Sequence, residues 1–108
     1  MTGRPNNSRL DAFRAMVEKN PKNALAHFGL ANEAMKIELF DEAVEHYRVY
    51  LAAHDDEGNG WQRLGEALVR LGRVDEAKKA FQHGIEASNR HGHPGMAQEI
   101  EALLEDLP

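Results

Sequence analysis

The sequence predicts an all-α fold, a solenoid of antiparallel helical hairpins with about six helices. A repeat is the first observation behind this. The stretch from Trp61 to Phe81 recurs 34 residues earlier: Leu64 falls on Leu30, Gly65 on Ala31, Leu68 on Ala34, Asp75-Glu76-Ala77 on Asp41-Glu42-Ala43, Phe81 on Tyr47 and Ile85 on Leu51. A fixed period of that size, with apolar residues at helical spacing inside it, marks supersecondary units that bury their faces by stacking. The second observation is size alternation. Small Ala31, Gly65, Ala43 and Ala77 let backbones approach, and bulky Tyr47, Leu51, Trp61, Leu64, Phe81 and Ile85 fill the space between. Large-into-small packing accounts for the pattern without a cofactor, and none is expected.

The elements follow in order. Met1 to Asn7 is polar, contains Gly3 and Pro5, and is expected to be flexible. Residues 8–22 read as a half repeat. Ser8 is placed to cap a helix, Asp11 suits its first turn, and Leu10, Phe13, Met16 and Val17 share one stripe. Residues 24–57 form the first full repeat: Pro21 ends the preceding helix, Asn23 caps the next, and the helices run near Ala24 to Lys36 and Phe40 to Ala53. Asp55-Asp56-Glu57-Gly58 reads as a solvated connector whose acids favour the following helix N-terminus. Residues 58–91 form the second repeat, with helices near Gly58 to Arg70 and Val74 to Asn89, joined at Gly72, which suits a left-handed turn. Then the register breaks. A third copy would put apolar residues at 95, 98, 99 and 102; the spacing appears five residues later, as Ile100, Leu103, Leu104 and Leu107. Arg90-His91-Gly92-His93-Pro94 therefore reads as an enlarged connector. Residues 92–108 read as a capping helix from Pro94 to about Asp106, apolar on one side and acidic on the other.

Bulk properties narrow the function. At 108 residues, with 42% apolar and 29% charged residues, the chain fits one globular domain. It has no Cys, which excludes disulfides, thiol catalysis and cysteine-ligated zinc and suits the cytoplasm. Its formal net charge of −5 argues against nucleic acid, and no apolar run argues for a signal peptide or membrane span. His91 and His93, with His83 upstream, are the residues nearest to a metal site; the alternative is a connector whose histidines cap helix ends. There is no phosphate loop, and Ser8 and Ser88 lie in no nucleophile motif, so no enzyme is expected.

Trp61-x2-Leu64-Gly65-x2-Leu68 and Ala77-x3-Phe81, with Leu30-Ala31 and Ala43-x3-Tyr47 before them and Pro21 one period earlier, resemble the tetratricopeptide repeat family in the form of its small bacterial-type proteins. The resemblance covers roughly residues 8 to 90. It implies a right-handed stack whose concave side, lined by the first helices, holds a peptide or partner helix. That lining would comprise Phe28, Asn32, Met35 and Lys36, then Gln62, Arg63, Glu66, Val69 and Arg70, with Phe28 and Met35 as apolar anchors. In the family's chaperone-binding branch a Lys and an Asn four residues apart open a clamp for a terminal carboxylate. Here Asn32 remains, Phe28 stands in the Lys place and Arg63 where the second repeat has Asn, so that clamp is not expected. The expected partner is another protein or peptide segment, amphipathic and mildly acidic. The chain is expected to be mainly monomeric, with a homodimer through the half repeat, and so a self-associating scaffold unit, as the alternative.

Overall fold

The computed structural model describes residues 8–108; the segment expected to be flexible, Met1 to Asn7, lies outside the described residues. The chain forms α1 (Ser8–Lys19), α2 (Ala24–Lys36), α3 (Phe40–Ala53), α4 (Asn59–Arg70), α5 (Val74–Arg90) and α6 (Pro94–Glu105), with no strand among the described residues. Each helix packs on the next in sequence, giving an elongated stack of 44 × 28 × 21 Å. Among the described residues no helix is long and apolar enough to cross a membrane.

The turns between hairpin partners share one hydrogen-bond pattern. Leu39 N–H donates to Ala34 C=O, Arg73 to Leu68 and His93 to Ser88, while Glu38, Gly72 and Gly92 donate to Met35, Val69 and Asn89. This paired arrangement satisfies the last helical carbonyls and needs a left-handed residue at its centre. Gly72 (φ 75°) and Gly92 (φ 80°) supply it at no steric cost, whereas Glu38 (φ 63°) supplies it with a side chain.

Burial follows the repeat. Leu30, Tyr47, Leu64, Leu68, Phe81 and Ile100 are fully buried, and Ala31, Ala34, Ala43 and Ala77 lie beneath them. At Gly65 an added Cβ would come within 2.4 Å of the Phe81 ring, so the size alternation is a steric requirement there.

Two local expectations are corrected. The stretch 90–94 is not an enlarged connector: α5 runs through Arg90, Pro94 opens α6, and only His91–His93 joins them. Ala24, Asn59 and Pro94 begin α2, α4 and α6 at equal intervals along the chain, so α6 occupies the next first-helix place and only its apolar stripe is displaced. Finally, the acidic connector is not wholly solvated. Asp56 is buried; its Oδ2 accepts the Gly58 and Gly60 N–H groups at 2.8 Å and its Oδ1 accepts the Tyr50 hydroxyl at 2.8 Å. It caps α4, while Asn23 caps α2 by accepting Ala26 N–H at 3.1 Å.

Candidate functional site

The face made by α2, α4 and α6 has two halves of different chemistry. At one end, Phe28 lies 4.4 Å from the Tyr50 ring and 5.9 Å, edge on, from Tyr47, with the Arg63 guanidinium 6.0 Å above it. Asn32 Oδ1 accepts both the Tyr47 hydroxyl at 2.6 Å and Arg63 Nη1 at 3.1 Å. Arg63 also donates Nε to Asn59 Oδ1 at 3.3 Å, and Gln62 is half-buried beside it. Burial pushes the Tyr47 phenol up to about 12, with Arg63 pulling the other way, so the hydroxyl remains a donor and needs the acceptor that Asn32 provides. Asn32 is therefore tied into the packing and does not stand free in the groove.

At the other end lies an open cleft of about 530 Å³. Met35 from α2, Glu66, Val69 and Arg70 from α4, and Leu103, Asp106 and Leu107 from α6 line it, over the buried Phe81 ring. The α6 residues were not in the sequence-based lining. Their helical recurrence as Leu103 and Leu107 was visible, but it read as the apolar side of a cap; with α6 in the third first-helix place, that side faces the cleft.

The cations expected to meet an acidic ligand are engaged within the chain. Lys36 Nζ bonds Glu33 at 2.9 Å, Arg63 bonds Asn32 and Asn59, and Arg70 lies 4.6 Å over the Phe40 ring with Nη2 3.4 Å from Glu38. The structure thus draws Met35, Glu66, Val69 and Arg70 into one cleft, places Phe28, Asn32 and Arg63 in a separate network, and leaves Gln62 half-buried outside both and Lys36 at the exposed end of α2.

The two connector histidines do not converge. His91 Nε2 lies 3.2 Å from Asp55 Oδ2 without the alignment of a hydrogen bond, and His93 Nε2 meets Glu57 Oε1. Arg90, and then His91, hold the Asp55 carboxyl below its ordinary range. Among the described residues no group of three or more His, Asp or Glu is placed to hold a metal ion. A different pair does meet: His27 and His46 stack with ring centroids 5.0 Å apart and Nδ1 atoms 2.8 Å apart, and His27 Nε2 faces Pro21 C=O at 2.7 Å.

Comparison with known proteins agrees with the stack. The tetratricopeptide repeat model matches residues 10–58 and again residues 59–91. The chain is 28% identical over 105 residues to Small glutamine-rich tetratricopeptide repeat-containing protein 2 of Mycosarcoma maydis, covering 95% of this chain and 30% of that protein. It is 24% identical over 100 residues to Protein STIP1 homolog of Dictyostelium discoideum, covering 93% of this chain and 17% of that protein. The chain thus spans less than a third of the length of either relative. Two consecutive matches, a shared helical period and, among the described residues, six helices stacked in chain order carry the same conclusion: this chain belongs to the tetratricopeptide repeat family.

Proposed function

We propose that the chain is a protein-interaction module, not a catalyst, and that it seats a peptide or partner helix on the face formed by α2, α4 and α6. The observation that carries this reading is the open cleft between Met35, Val69, Leu103 and Leu107, an apolar trough that the chain itself does not fill. Membership of the repeat family supports it. The trough is short, so the affinity expected is micromolar, about −8 kcal/mol.

The test is capture of partners from the native host by the wild type and by Val69→Glu, with mass spectrometry as the readout. Val69 is half-buried at the cleft, so a carboxylate there faces the ligand and not the core. Val69→Glu should lose the partner and keep the wild-type circular dichroism melt. A partner retained by Val69→Glu but lost on Val49→Glu, an exposed α3 position, would move the binding site to the opposite side of the stack.

A further inference from the structure

Charge around the cleft is unevenly committed. The Glu66 and Asp106 carboxylates border it, and among the described residues neither side chain takes part in an ion pair or hydrogen bond. For Glu66 this is unexpected on local grounds. Arg70 follows it by one helical turn, and acid before base at that spacing is the favourable order for a helix-surface pair. The guanidinium is drawn elsewhere. It lies flat over Phe40, 4.6 Å from the ring centroid, and reaches Glu38 Oε1 at 3.4 Å. Glu38 is the residue that holds the α2–α3 turn at φ 63°, where the two equivalent turns have glycine. A side chain kept at a glycine position, with its carboxylate on Arg70, has the effect of leaving Glu66 unneutralised.

Of the remaining cations of this face, Lys36 is ion-paired with Glu33, and Arg63 is held by the neutral amides of Asn32 and Asn59 at the other end of the face, outside the cleft lining. The lining therefore offers a ligand apolar contact from Met35, Val69, Leu103 and Leu107 and unpaired negative charge from Glu66 and Asp106. The chain's formal net charge of −5 has the same sign and would attract cations from a distance.

We infer that the occupant of this cleft is a protein segment, helical and amphipathic, that presents Leu- or Met-like side chains to the trough and a Lys or Arg to Glu66 and Asp106. This rests on the reading of the cleft as the binding site and fixes the ligand's charge, which is basic where the sequence pattern alone suggested mildly acidic. A desolvated ammonium or guanidinium between two carboxylates gains charge-assisted bonds, whereas a ligand carboxylate there meets like charge and must first displace Arg70 from Glu38 and Phe40.

The experiment uses two synthetic helical peptides with the same leucine stripe, one flanked by lysines and the other by glutamates, titrated into the full chain. Fluorescence anisotropy gives affinity and amide chemical shifts give location. The lysine peptide should bind about tenfold tighter than the glutamate peptide at low salt and shift Met35, Val69 and Leu103. In Glu66→Gln/Asp106→Asn that preference should collapse, along with most of the salt dependence. A glutamate peptide that binds the same residues more tightly would overturn the charge assignment and leave the cleft reading standing. Shifts confined to other surfaces, or no binding by either peptide, would overturn both. Glu38→Gly should weaken the lysine peptide by about threefold as Arg70 turns to Glu66; unchanged affinity would overturn the role given to Glu38.

Discussion

Asp56 is the residue on which the second repeat's entry depends. Its two oxygens serve two N–H groups at the start of α4 and the Tyr50 hydroxyl. Burial, and then Asp56, push the Tyr50 phenol upward, so it stays a donor at any working pH. Asp56→Ala should cost about 2–3 kcal/mol, because it leaves a buried hydroxyl and a helix start without acceptors; thermal or urea unfolding measures this. Asp55→Ala, at an exposed neighbour, should leave the unfolding midpoint almost unchanged. The sequence showed three acids in a row and could not say which one folds inward, since that depends on where Tyr50 comes to rest. The same holds for His27 and His46, which sit on different helices and meet only once α2 and α3 dock. Pro21 C=O can only accept, so His27 Nε2 donates, its Nδ1 accepts, and His46 Nδ1 donates. Burial is the main cause that lowers the His46 pKa, and neighbouring His27 and Arg14 add to it, while Glu45 and Glu42 oppose this. The folded state thus favours neutral His46, and the unfolded chain takes up the proton first on acidification. Stability should be full above about 6.5, the ordinary histidine value, and should fall as the pH drops below it. In His46→Gln that part of the slope should vanish; a slope that persists unchanged would place its origin elsewhere.

Among the elements, the turns and α1 carry the next tests. Glu38 holds a left-handed backbone conformation that costs a non-glycine residue about 1 kcal/mol, and its exposed ion pair with Arg70 returns little of this. Glu38→Gly should therefore raise stability by about 0.5 kcal/mol, although it is expected to weaken ligand binding. α1 docks chiefly on α2, with Phe13 over Gly29, and reaches α3 through the Arg14–Glu42 pair at 2.7 Å. An added Cβ at Gly29 would fall 2.3 Å from the Phe13 ring, so Gly29→Ala should loosen α1 selectively, seen as faster amide exchange in 8–19 than in α4 or α5. Helix spans were legible because apolar residues recur at helical spacing and Asn23, Gly72 and Pro94 mark boundaries. The α5–α6 junction was not. A histidine- and glycine-containing stretch looks like loop in sequence, yet α5 runs one residue past the expected Asn89 and only His91–His93 separates it from Pro94.

For the whole molecule, the stack itself was readable from the repeat, while the shape of the binding face was not. Residues of α2 and α4 follow from the period, but the contribution of α6 depends on its place in the stack, and the commitment of each cation depends on neighbours up to 32 residues away, as for Arg70 and Glu38. Cooperativity is the global test of the packing. Ala77 is fully buried, so Ala77→Leu should destabilise the chain by about 1–3 kcal/mol through overpacking and should broaden or split its unfolding transition. Sedimentation should give a species near the chain mass of 12.1 kDa. A dimer that disappears on Met16→Glu without unfolding would instead show self-association through α1.

The two flanks of the stack differ in charge. The exposed side of α6 carries Gln98, Glu99, Glu101 and Glu105, while that of α1 mixes Ala12, Ala15 and Met16 with Arg9, Asp11, Glu18 and Lys19. A further hairpin laid against α6 would have to bury glutamates with no cation opposite them, whereas one laid against α1 would cover methyl groups and a thioether together with charges of both signs. Covering the outer side of α6 therefore carries a desolvation cost for its glutamates.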